Sequence, residues 1–267
     1  MPRSLENLRV LPPIPPVRQS VHAGNYKIVP VDFEHPLYDE ELVDIREFGI
    51  TGKSYYFRSD GENIPYGRRL EGALSEILVR RSVAAKLVDV NQKLQCLGVE
   101  LFVWDAYRPL QTQIGLWKFF EETKKNENPS FAEDEIYAEV IKYVSDPTSF
   151  SREDPTTWPT HMTGASVDLT ICHVDDKQLL DMGAHFDQMD VAAHTNYYEQ
   201  QRQDGEIGPE DSRLLNRRLL YNAMSSCGFT NYPFEYWHYD WGNQMYQIIR
   251  SVQNNAPIEQ AWYGVVS

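Results

Sequence analysis

The 267 residues carry 39 Asp and Glu against 25 Lys and Arg, a formal net charge of −14. That excludes the clustered cationic surface with which proteins displace counterions from nucleic acid, so no DNA or RNA partner is expected. A hydrophobic share of 42% and a charged share of 24% belong to a folded chain with one sizeable core, not to a disordered or fibrous one.

No stretch approaches the roughly eighteen apolar residues that span a bilayer, so no membrane partner is expected. The opening MPRSLENLRVLPPIPPVRQS lacks the apolar run of a secretory leader, and a cytoplasmic location is the expectation. Cys96, Cys172 and Cys227 are odd in number and widely spaced, which rules out a paired disulfide framework and a CxxC knuckle. Each is expected to be a small buried hydrophobe.

Residues 1–40 are proline-rich, with Pro12, Pro13, Pro15 and Pro16 favouring extended backbone, and read as an arm draped over a domain of residues 41–267. From Leu74, the apolar residues Ile77, Leu78, Ala84, Ala85 and Val88 fall near helical spacing, and Gly98 stands where a left-handed cap is wanted; this predicts a helix ending near Leu97. The continuous apolar run 101–104 predicts a buried strand that leads into Arg108 and Pro109. Pro109 opens a helix whose apolar side is Ile114, Leu116, Trp117 and Phe120, and residues 136–144 form another. In 165–171, Val167, Leu169 and Ile171 alternate with Asp168 and Thr170, predicting a strand with Asp168 turned from the apolar layer.

Leu215, Leu219, Leu220, Ala223, Met224 and Cys227 describe a helix closed by Gly228. Residues 236–241 read as an aromatic strand and 244–252 as a last helix. Helices grouped before and between strands, without βαβ alternation, favour an α+β fold.

A catalytic zinc site takes three protein ligands and leaves its fourth position to water, and a carboxylate outside the ligand set must take that water's proton. His161 and Asp168, with Gly164 between them for a tight turn, and His238 farther on meet the first requirement. Glu235, three residues before His238 and at the mouth of the predicted strand, meets the second. Arg108, read at the end of the 101–104 strand, is placed to offer a guanidinium to a carbonyl oxygen as charge develops, with Asp105 holding it.

WDAYRP (104–109), THMTGASVDLT (160–170), MGAHFDQMD (182–190) and FEYWHY (234–239), in that order, resemble the D-alanyl-D-alanine dipeptidases of the VanX type in peptidase family M15. The similarity runs from about Leu42 to Tyr239. It implies a compact single α+β domain, a small antiparallel sheet flanked by helices, shared with hedgehog-type and D,D-peptidase domains. It further implies one Zn²⁺ per chain on His161, Asp168 and His238, Glu235 as base, and Arg108 as stabiliser of the oxyanion. The resemblance also implies that Asp187 holds the free ammonium of a small dipeptide substrate. Pro159 and Ser166 depart from the Ser and Ala usual in the family, which leaves substrate preference open. A D,D- or L,D-carboxypeptidase acting on longer stem peptides and a non-catalytic zinc-stabilised module remain the alternatives.

Overall fold

The computed structural model describes residues 11–16 and 25–266; the remainder of the expected arm, 1–10 and 17–24, lies outside them. A short pair, β1 (Leu42–Asp44) with β3 (Leu78–Arg80), is antiparallel and flanks the main sheet. The main sheet runs β2 (Thr51–Gly52), β4 (Val99–Asp105), β5 (Ser166–His173), β7 (His238–Asp240) and β6 (Thr230–Asn231). Its pairs are antiparallel except the edge pair of β2 with β4, which is parallel. Around it lie α1 (Arg81–Gln95), α2 (Leu110–Glu127), α3 (Glu133–Val140), α4 (Tyr197–Gln203), α5 (Ser212–Ser225) and α6 (Gln244–Asn254). The chain is a single α+β domain.

Register sorts the side chains of the sheet. Leu101 pairs with Ile171, Val103 with Leu169, and Val167 with Tyr239, and all six are buried in one core. Directly paired residues share a face, so this is the apolar side. Val83, Leu87, Val90 and Leu94 of α1 and Leu219, Leu220 and Met224 of α5 join the same core. Each such buried aliphatic contributes roughly 1.5–3 kcal/mol.

Period two puts the alternate residues on the opposite face. There Asp168 pairs with His238 and Ser166 with Asp240, while a β-bulge between Val103 and Asp105 brings Asp105 opposite Asp168. Polar residues opposite an aliphatic core thus converge on the centre of the sheet.

Several boundaries differ from the periodicity. The helix expected from Leu74 starts only at Arg81, because Leu78–Arg80 pair with β1 as a strand, and tertiary pairing overrides helical spacing there. Helix α3 begins earlier than expected, at Glu133, and ends at Val140, with turns carrying the chain on. The last strand is only His238–Asp240; Tyr236 and Trp237 fill the core from the loop before it. Arg108 stands three residues beyond β4 rather than at its end. Cys172 is buried, but Cys96, beside the solvent-side end of α1, is exposed and Cys227 half-buried, so the expectation for those two fails.

Residues of the N-terminal segment meet this domain. Pro12 O accepts from Asn222 Nδ2 at 3.1 Å, and Ile14 N donates to Glu199 Oε1 at 3.0 Å. Tyr26 and Val29 pack with Met245, Ile248 and Ile249 of α6. No helix among the described residues is long and apolar enough to cross a membrane.

Candidate active site

His161 lies in a 3-10 turn, Thr160–Thr163, that is closed by Gly164 at φ 70°. A side chain is strained in this left-handed conformation, and a Cβ at Gly164 would stand 2.6 Å from Leu42 Cδ2. The tight reversal returns the chain into β5 and so delivers Asp168 beside His161. On the other side, Asn231 Nδ2 donates to Glu235 O and His238 O, both at 3.0 Å, and ties the loop between β6 and β7. Glu235 sits in that loop.

His161, Asp168 and His238 are all buried, and one ligand atom from each lies within 4.8 Å of the others. His161 Nε2 is 3.2 Å from His238 Nδ1 and 3.3 Å from Asp168 Oδ2, and His238 Nδ1 is 3.0 Å from Asp168 Oδ1. The outward nitrogens settle the tautomers. His161 Nδ1 is 2.8 Å from the carbonyl of Ala106, which can only accept, so Nδ1 carries the proton. His238 Nε2 donates to Asp240 Oδ2 at 3.0 Å. Asp240 is held in turn, its Oδ1 accepting from Ser166 Oγ at 2.7 Å and from Asn243 Nδ2 at 2.7 Å.

Two imidazole lone pairs and a carboxylate therefore face one point. Three acceptors gather in a buried place only around positive charge. The donor set, two His nitrogens and one carboxylate oxygen with their outer hydrogen bonds satisfied, fits a divalent metal with an open position. Burial alone would lower the His238 imidazole, but Asp240 and Asp168 raise it well above its usual value. Burial likewise opposes ionisation of Asp168, yet His161 and His238 hold its carboxyl far below the usual range. A proton and a metal ion thus compete for this place.

The remaining residues surround the cluster in a cavity of about 180 Å³ lined by Arg108, Asp187 and Glu235 among others. Glu235 Oε2 stands 4.0 Å from His238 Nδ1, outside the cluster. Its side chain is 24% exposed and lines the cavity, and desolvation by burial pushes its carboxyl up to about 8. Arg108 is buried and tied on all sides: Nε donates to Asp105 Oδ2 at 3.0 Å and Nη1 to Gln113 Oε1 at 3.0 Å. Its Nη2 lies 3.3 Å from the Tyr56 hydroxyl and 3.4 Å from Asp168 Oδ2. A buried guanidinium is tolerated only with such partners.

Asp187 adopts a left-handed backbone, φ 60°, unusual for a residue other than glycine. The hydroxyls of Tyr56 and Tyr66 both donate to its Oδ2, at 2.8 and 2.9 Å, and Oδ1 has no hydrogen-bond partner among the described residues. Burial, reinforced by the charge of Asp168, pushes its carboxyl up to about 7. The motifs of the sequence did not point to Tyr56 or Tyr66, which lie outside any patterned run, or to Gln113, a polar residue in the first turn of the helix opened by Pro109. Asp240 carried a usable signal, since residues two apart on a strand share a face.

A profile of the peptidase M15 family, described as D-ala-D-ala dipeptidase, matches residues 62–255. The chain is 29% identical over 179 residues to the D-alanyl-D-alanine dipeptidase of Enterococcus faecalis, covering 65% of this chain and 78% of that one. It is 28% identical over 207 residues to that of Streptomyces coelicolor, covering 75% and 90%. A solved structure of VanYB in complex with D-alanine-D-alanine aligns with a TM-score of 0.41 at 14% identity, over 87% of this chain and 94% of that one. With the profile spanning most of its length, the chain belongs to the peptidase M15 family and is a metallopeptidase.

Proposed function

We propose that the protein is a zinc-dependent dipeptidase that hydrolyses D-Ala-D-Ala or a similar D-amino-acid dipeptide, with one Zn²⁺ on His161, Asp168 and His238. The observation that carries this reading is the convergence of two imidazole lone pairs and a carboxylate in the cavity that also exposes Glu235 and the free Oδ1 of Asp187. When bound, zinc supplies a water of lowered pKa and a Lewis acid for the scissile carbonyl.

The chain's own residues do the rest. Glu235 takes the proton of the attacking water and passes it to the leaving amine; a carboxyl raised by burial is the stronger base and, once protonated, a ready donor. Arg108, fixed by Asp105 and Gln113, presents its guanidinium where the carbonyl oxygen becomes negative. Asp187 receives the substrate ammonium on Oδ1, while Tyr56 and Tyr66 hold the carboxylate still. The division into an arm, residues 1–40, and a peptidase domain, 41–267, belongs to the same reading.

Asp187 favours a dipeptide over a longer stem peptide, because only a dipeptide brings a free ammonium that close to the scissile bond. Hydrolysis of D-Ala-D-Ala by the zinc-loaded protein, compared with hydrolysis of N-acetyl-D-Ala-D-Ala, tests this. Rejection of the blocked amine is expected; faster cleavage of the acetylated compound would establish a carboxypeptidase instead. No cleavage of any member of a mixed L/D dipeptide panel would leave a non-catalytic module.

A further inference from the structure

The cavity does not end at the catalytic cluster. Arg108 donates to Gln113, and Gln113 Nε2 donates at 2.8 Å to the carbonyl of Ser145, where Tyr26, Lys27, Ser145, Asp146 and Pro159 continue the wall. Lys27 belongs to the 3-10 turn Asn25–Ile28, outside the residues matched by the family profile. That turn is anchored: Tyr26 is buried, its hydroxyl donates to Trp158 O at 3.1 Å, and Ser145 Oγ lies at 3.1 Å from the same hydroxyl.

The ammonium of Lys27 makes no ion pair or hydrogen bond among the described residues. The other cations of this wall are paired, Arg108 with Asp105 and Asp168 and Lys142 with Glu139. Asp146 is the acid nearest in influence, yet its oxygens are taken by its own surroundings. Oδ1 accepts from Thr148 N and Thr148 Oγ1, both at 2.7 Å, and Oδ2 accepts from the Tyr137 hydroxyl at 3.0 Å. Partial burial lowers the Lys27 ammonium from its usual value, with Asp146 opposing, so the group is drawn out of water without a full partner. A cation desolvated in this way is satisfied best by an anion delivered into the cavity.

A dipeptide is such a ligand, for it carries an ammonium and a carboxylate. Asp187 answers the first. For the second, Pro159 on the same wall has no N–H to give, and Arg108, held by Asp105 and Gln113, is committed to the oxygen of the scissile carbonyl. We propose that Lys27 binds the free carboxylate at the C-terminal end of the substrate and makes that carboxylate a requirement for tight binding. The inference rests on the dipeptidase reading and adds to it the group that reads the second terminus.

The test uses zinc-loaded wild-type protein and Lys27→Met, with D-Ala-D-Ala and its C-terminal amide as substrates. A hydrogen-bonded charge pair is worth enough that Lys27→Met should raise KM for the free acid roughly 10- to 100-fold, with the loss in KM rather than kcat. The wild-type preference for acid over amide should collapse in the variant, and Lys27→Arg should restore most of it. Unaltered zinc content and melting temperature separate this result from a folding defect. A variant that keeps the wild-type preference overturns the assignment. Should wild-type protein cleave neither compound, the dipeptidase reading fails by itself, and calorimetric binding of D-Ala-D-Ala still decides on Lys27: equal Kd for wild type and Lys27→Met overturns it.

Discussion

His238 Nε2 lies 3.0 Å from Asp240 Oδ2, two residues farther along the same face of β7. The contact fixes which nitrogen of His238 carries the proton and leaves Nδ1 turned to Asp168 and His161. Ser166 and Asn243 hold Asp240 in turn, so the Ser166 hydroxyl supports this arrangement. Outer partners of this kind typically matter 10- to 100-fold for metal affinity. Asp240→Asn is expected to weaken zinc binding by about that factor, measured by competition with a chromophoric chelator, while the circular dichroism spectrum is retained. Zinc affinity equal to wild type would remove Asp240 from the site.

Glu235 is not one of the three side chains whose ligand atoms converge, and its Oε2 stands 4.0 Å from His238 Nδ1, farther than the three stand from one another. Glu235→Gln should therefore keep stoichiometric zinc and lose turnover by about two to four orders of magnitude, the usual contribution of a positioned acid–base group. Metal analysis and kcat on one preparation check both halves. Substantial residual turnover would reject Glu235 as the proton carrier.

Asp187 supplies a pH dependence. Its carboxyl is pushed up to about 7, chiefly by burial and further by the charge of Asp168. Pairing with an ammonium needs the ionised form, so affinity for a dipeptide should rise with pH through this range and fall as pH drops below it. A bound cation offsets the charge of Asp168, which places the acid limb at pH 7 or below. At the other end, affinity declines as the substrate amine loses its proton, near pH 8 for an α-amino group. The pH profile of the inhibition constant of a non-hydrolysable dipeptide analogue reads this limb directly. In Asp187→Asn the acid limb should disappear together with most of the affinity, and its persistence would assign the titration to another group.

The sequence by itself determined the apolar strand of 101–104, the alternation in 165–171, the glycine-closed helix ends at Gly98 and Gly228, and the chemical inventory of two imidazoles, four carboxylates and a guanidinium in four ordered motifs. These are local properties, carried by residues within a few positions of one another. Where a residue's state depended on a remote partner the pattern misled, as at Leu78–Arg80, whose pairing with β1 displaced a helix.

Only the tertiary structure decided which side chains meet. Pairing register set Asp168 against His238, and the bulge in β4 brought Asp105 round to Asp168. Tyr56 and Tyr66 reach Asp187 across more than a hundred residues, and Lys27 enters the cavity from a segment with no periodic pattern. A one-residue slip in a strand would turn every one of its side chains to the opposite face. The composition of the site can therefore be written in the sequence while its geometry is settled by burial of the apolar side of the sheet, which fixes register and leaves the polar side chains facing one another.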